Sequence, residues 1–194
     1  MVRAGNQVEV KKILDEKGLE ILNIEYKSGL ELDRIVELNE ENKEADDPNA
    51  EDVDNSLENA TMTVTPLQLA IIAKRKKVTQ VIIEYIANIE EAEERANALK
   101  EVLGSTVKLD FVDDKETYDK DDRSMDGMNA FHLACKYDPK AIKLIFDILN
   151  RKNDERFFFM MKDLLDETDN HLQQTPLHVA SRNSTSVAAR YKYV

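Results

Sequence analysis

Three six-residue segments of this chain can be laid over one another. They are Thr65-Pro66-Leu67-Gln68-Leu69-Ala70, Asn129-Ala130-Phe131-His132-Leu133-Ala134 and Thr175-Pro176-Leu177-His178-Val179-Ala180. Such self-similarity constrains a fold more tightly than composition does, because it implies one supersecondary unit used several times. Each segment reads as the start of a helix. Thr is a preferred N-cap, and proline is tolerated at the first helical position, where its missing N–H costs nothing. In the first two copies an apolar helical pattern follows at the same distance. One runs through Val78, Val81, Ile82, Tyr85 and Ile86, the other through Ile142, Ile145, Phe146 and Leu149.

Two more helical patterns follow those pairs. Ile89, Ala92, Ala96, Leu99, Val102 and Leu103 form one, and Phe157, Met160, Met161, Leu164 and Leu165 the other. Only Val107-Lys108-Leu109-Asp110-Phe111-Val112 alternates as a strand would. With 5 Gly, 4 Pro and no Trp in 194 residues, the composition argues for helices and against a β-sandwich or barrel.

The hexapeptides resemble the ankyrin repeat, whose consensus opens Thr-Pro-Leu-His-x-Ala. The run from Ala4 to Asn23 is similar to the second half of another such repeat, with Gly5 and Gly18 at the family's glycine positions. The resemblance implies an all-α fold, an ankyrin-repeat α-solenoid with extended acidic finger-loop insertions. It places about four repeats in one domain over 1–194: 1–23 (partial), 65–87, 129–150 and 175–194 (partial). Insertions then fill 24–64, 88–127 and 151–173. An ankyrin repeat spans about 33 residues, whereas the hexapeptides here start 64 and 46 residues apart. Asn129 stands in place of Thr, Ala130 of Pro and Gln68 of His, changes expected to weaken the cap and its hydrogen bonds. The family's motif histidine bonds to the Thr hydroxyl and nearby backbone, so His132 and His178 are implied to be structural. Ser184–Arg190 is a poor version of a closing helix, and the chain reads as a piece of a longer protein.

The charge is unevenly placed. The whole chain carries −12, yet Ser28–Ala60 alone holds twelve acids against two bases, Arg34 and Lys43. Its first part, Leu30–Leu38, has the pattern of a short helix. From Asn39 to Asn59 apolar residues nearly vanish, which predicts a mobile acidic loop. Lys108–Gly127 holds eight acids against four bases. This balance disfavours nucleic acid, whose phosphates demand clustered Lys and Arg, and anionic membrane. No apolar run approaches the ~18 residues of a membrane span, and Met1–Asn6 has no apolar signal region. The lone Cys135 rules out an intrachain disulfide and points to a reducing, cytoplasmic setting.

Catalytic constellations are weak. His132 and Cys135 lie three apart on a predicted helix, too few ligands for zinc and without an oxyanion device for nucleophilic catalysis. Asp119–Gly127 has a calcium-loop look, but Arg123 and Ser124 occupy the fifth-ligand and turn-glycine positions. Glu90, Glu91, Glu93, Glu94, Arg95 and Lys100 read as a solvated helix face. Lys74-Arg75-Lys76-Lys77 reads as a turn between helices more than as a nuclear address. Phe157–Met161 cannot all face one side of a helix, so most are expected in the core and Phe158 on the surface. No phosphate loop or paired Cys motif occurs.

These readings predict a non-enzymatic protein–protein interaction module without cofactor or metal. Its expected partner is a protein with a basic patch. Asp46, Asp47, Asp113, Asp114, Asp119 and Asp122 are the candidate contacts, chosen for position and charge. The alternative is a cytosolic regulatory segment of a larger protein, such as an ion channel, a signalling inhibitor or a bacterial effector.

Overall fold

The computed structural model describes residues 6–24, 26–29, 60–111, 125–152 and 155–183. Helices dominate these residues. Helix α1 (Gln7–Lys17) starts where the Asn6 side chain accepts from Glu9 N–H, and stops at Gly18, whose φ of 67° suits glycine. A 3-10 turn (Gly18–Asn23) follows, then β1 (Tyr26–Gly29). Strand β2 (Ala60–Val64) leads without a break into the Thr65 cap of α2 (Pro66–Ile72). A tight turn at Lys74 then opens α3 (Lys76–Ala87).

Helix α4 (Ala92–Gly104) is capped by the Glu91 carboxylate, which accepts from Glu93 and Glu94 N–H. Those two bonds hold the Glu91 carboxyl below its ordinary pKa. Strand β3 (Lys108–Phe111) comes next. The series resumes with α5 (Ala130–Tyr137), α6 (Pro139–Asn150), α7 (Glu155–Asp166) and α8 (Pro176–Asn183). The expected starts at residues 66, 130 and 176 are those observed.

Helices of like position pack in series. Helix α5 lies between α2 and α8, α3 lies between α1 and α6, and α4 packs on α7. Within each unit α2 pairs with α3, and α5 with α6. The apolar spacing explains the pairing. Val78, Ile82, Ile83 and Ile86 bury one side of α3, as Ala141, Ile142, Ile145 and Leu149 do on α6. One continuous core runs from Val10 to Ala180. Leu67 and Phe131, at matching positions of α2 and α5, are fully buried. Each contributes about 2 kcal/mol through the apolar surface it removes from water.

The helices do not account for everything. The described residues are mostly helical, as expected, and a small three-stranded antiparallel sheet in the order β1-β2-β3 accompanies the helices. Strand β3 falls within the alternating stretch 107–112. Strands β1 and β2 carry no alternation long enough to be read in advance. In β2, Met62, Thr63 and Val64 are all buried, so inward and outward residues do not differ in exposure. Tyr26 pairs with Val64 and Gly29 with Thr61, while Ala60 pairs with Phe111 and Thr63 with Lys108. The base of the insertion after β3 is closed by two bonds. Val107 N–H donates to Met128 O at 3.0 Å, and Gly127 N–H to Val107 O at 2.9 Å.

Candidate interaction surface

The sheet register decides where the two acidic segments join the described residues. The chain exits β1 after Gly29 and re-enters β2 at Ala60; it exits β3 after Phe111. Gly29 pairs beside Thr61, and Phe111 opposite Ala60. All three crossings therefore lie at one end of one sheet. Neighbouring strands stand ~4.8 Å apart, so the two exits flank the β2 entry at roughly 10 Å from each other. Residues 30–59 carry twelve acids and two bases, and residues 112–124 six acids and three bases. Their joint net charge is −13, against −12 for the whole chain, so the remainder is close to neutral.

Asp46 and Asp47 belong to the first segment, and Asp113, Asp114, Asp119 and Asp122 to the second. All six lie outside the described residues, as does the expected helix at Leu30–Leu38. The described residues bring together the points from which these aspartates depart. Sequence reasoning misses that juxtaposition because it depends on β1 and β2.

At the opposite end, β2 delivers Thr65 to the head of α2. The Thr65 backbone N–H donates to Gln68 Oε1 at 2.8 Å, and Gln68 Nε2 donates to Ser105 O at 2.6 Å. Beside them lies an open polar hollow of about 230 Å³, lined by Asn23, Thr63, Thr65, Gln68, Glu101 and Lys108 among others. The head of α5 repeats the arrangement with a histidine. Asn129 N–H donates to His132 Nδ1 at 3.3 Å, which leaves Nε2–H to donate to Gln174 O at 2.8 Å. Burial lowers the His132 pKa, against the opposing pull of the Gln174 carbonyl, Asp169 and Glu167.

The substitution of Asn129 for Thr was expected to weaken the cap. The structure corrects this. Asn129 Oδ1 accepts from Phe131 N–H at 3.0 Å and His132 N–H at 3.2 Å. Its Nδ2 donates to Leu164 O and to Glu167 Oε2, both at 2.9 Å. A threonine has no second donor with which to tie α5 to α7. The capping pair at Thr65 and Gln68 is likewise complete, so glutamine replaces histidine without loss of the bond pattern.

His132 therefore serves as a structural strut, and Cys135, on the same helix, is buried in the core. At α8 the histidine repeats the local bond: Thr175 Oγ1 donates to His178 Nδ1 at 2.8 Å. Of the aromatic cluster, Phe157 and Met161 are buried, and Phe158 is exposed as expected. Phe159 is exposed as well, edge-on to Phe158 at 5.9 Å. Among the described residues no group of three His, Cys, Asp or Glu side chains is placed to hold a metal ion, and no helix is long and apolar enough to cross a membrane. Compared with protein-family models, with curated proteins and with solved structures, the chain matches none.

Proposed function

We propose that this chain is an ankyrin-repeat protein-interaction module that binds a partner protein through a basic patch. The observation that carries the reading is the sheet register, which roots both acidic segments at one end of one sheet. Two segments separated by 52 residues of sequence are thereby tethered at one place. A concentrated charge of this kind raises encounter rates with an oppositely charged surface and loses its reach as salt rises. The serial packing of α2, α5 and α8 on one side, and α1, α3 and α6 on the other, supports a repeat architecture. Such an architecture offers an extended surface in place of a deep pocket. The capping chemistry supports it too, since one donor–acceptor pattern recurs at Thr65, Asn129 and Thr175.

The test is affinity capture from cell lysate at low and high salt. The natural chain is compared with versions in which 30–59, 112–124 or both are replaced by Gly/Ser linkers. The reading expects one partner that is retained at low salt, lost at high salt and lost from the doubly replaced chain. Equal capture by every version at both salts would place recognition on the helical face and overturn the acidic-site reading.

A further inference from the structure

The run Lys74-Arg75-Lys76-Lys77 joins α2 to α3 and serves neither the core nor the acidic roots. Lys74, Lys76 and Lys77 are exposed, and Ala73 and Val78, on either side of the run, are buried. Among the described residues no ion pair involves these three lysines. Their placement works against the fold. Lys74 adopts φ 53°, in the left-handed region that crowds any Cβ. Arg75 occupies the N-cap of α3 without a side-chain bond to the helix, whereas Asn6, Thr65, Glu91, Asn129 and Asp138 cap their own helices. Lys76 and Lys77 fill the first turn of α3, where the helix dipole disfavours cations. Exposed cations kept where they cost stability point to a use outside the fold.

The neighbouring unit widens the patch. Lys152 Nζ donates to Asn88 Oδ1 at 2.9 Å, which ties the C-terminal ends of α3 and α6 together. The two packed helices therefore run parallel, and their N-terminal ends lie side by side. Lys136, in the last turn of α5, and Lys140, in the first turn of α6, thus join the run. Residues 73–77 and 136–140 hold six cations against one acid, Asp138. Its carboxylate accepts from Lys140 N–H at 3.2 Å.

The whole-chain charge argues against an anionic surface, but the acidic roots stand apart from this patch. The three strands pair with one another and none packs along α2, so the roots lie beyond its Thr65 end. The length of α2 alone puts about 10 Å between roots and patch, more than the Debye length of ~8 Å at physiological salt. The patch has charge and reach but little to anchor a protein partner. Its flanking apolar residues are buried, and Tyr137 is half-buried with the Lys136 ammonium 5.4 Å from its ring centre. Flexible lysines without such an anchor suit a surface whose charges move to meet them.

We propose that this end of the helix pairs docks on an anionic lipid bilayer, with the acidic roots held away from it. The proposal does not rest on the partner assigned to the acidic segments.

The test is co-sedimentation of the full chain with vesicles of phosphatidylcholine, alone or with about 30% phosphatidylserine, at about 0.1 M salt. The charged vesicles should take up at least tenfold more chain than the neutral ones. Each lysine near the surface is worth about fivefold. Lys74→Gln, Lys76→Gln and Lys77→Gln combined should therefore lower the partition coefficient about a hundredfold, and Lys140→Gln alone about fivefold. Lys12→Gln, Lys17→Gln and Lys100→Gln combined remove as much charge from exposed positions on α1 and α4. That variant should partition like the natural chain, and both triple variants should keep its helical circular dichroism. Equal partition onto both kinds of vesicle, or equal losses in the two triple variants, would overturn the proposal. So would a decaglutamate peptide bound with micromolar affinity and lost in the first triple variant, which assigns the patch to an acidic protein. Uptake by charged vesicles only after 30–59 and 112–124 are replaced by Gly/Ser linkers would also overturn it, because the chain's own acids would then prevent docking.

Discussion

The heads of α2 and α5 solve one problem with different chemistry. Each needs a side chain that accepts from the cap N–H and donates to a distant carbonyl. Gln68 does this with a neutral amide, held by Thr65 and Ser105. His132 does it with an imidazole, and its cap residue Asn129 adds two bonds towards α7 that Thr65 cannot make. The position thus selects a donor–acceptor pair of the right span, and identity matters less than geometry. The α5 head is the more interlocked of the two, and it alone carries a titratable side chain, whose pKa burial lowers.

The strongest way to break this difference is at the turn feeding α5. Gly127 has φ 76°, and a Cβ there would run into the backbone nitrogen of Asn170. Gly127→Ala combines left-handed strain with a backbone clash, and should cost about 3 kcal/mol or more. A urea midpoint that barely moves would refute the close approach of residues 127 and 170. Next comes the cap itself. Asn129→Ala removes four hydrogen bonds in a buried site and should cost about 2–3 kcal/mol. Thr65→Ala, which removes one long acceptor contact, should cost about 1 kcal/mol. Equal losses in chemical denaturation would erase the contrast.

A pH series sharpens it further. Burial lowers the folded-state pKa of His132 below its ordinary 6.5. The unfolded chain therefore binds the proton first as pH falls. The neutral imidazole's contribution is complete above about 6.5 and is lost as pH drops through the folded-state value. His132→Gln, which copies the α2 solution, should flatten that part of the stability profile; an unchanged slope would place the titration elsewhere. The smallest effect is expected at Gln173, two residues before Thr175, as Gly127 is two before Asn129. Gln173 has φ 54°. Gln173→Gly should raise the denaturation midpoint by the equivalent of about 0.5 kcal/mol, and a lowered midpoint would contradict the strain.

The helix starts were legible because their signals are local. A cap residue, a proline and an apolar step every three or four residues all fall within a dozen positions. The exposure of Phe158 follows from helical geometry for the same reason. The sheet was mostly hidden. Strands β1 and β2 are four and five residues long, and what makes them strands is each other, across a separation of thirty residues. The strength of the Asn129 cap was hidden likewise, since Leu164 and Glu167 are distant in sequence. The candidate site was half legible. Its charge stands in the sequence, but the convergence of its two roots needs the register of β2 between β1 and β3.

That convergence is what the proposed function rests on, and calorimetry with a decalysine peptide at low salt probes it directly. If the two acidic segments form one site, the natural chain binds one peptide. Replacing 30–59 or 112–124 alone then weakens binding, and the double replacement costs less than the two single losses added. Two independent peptides per chain, with losses that add, would contradict a shared site.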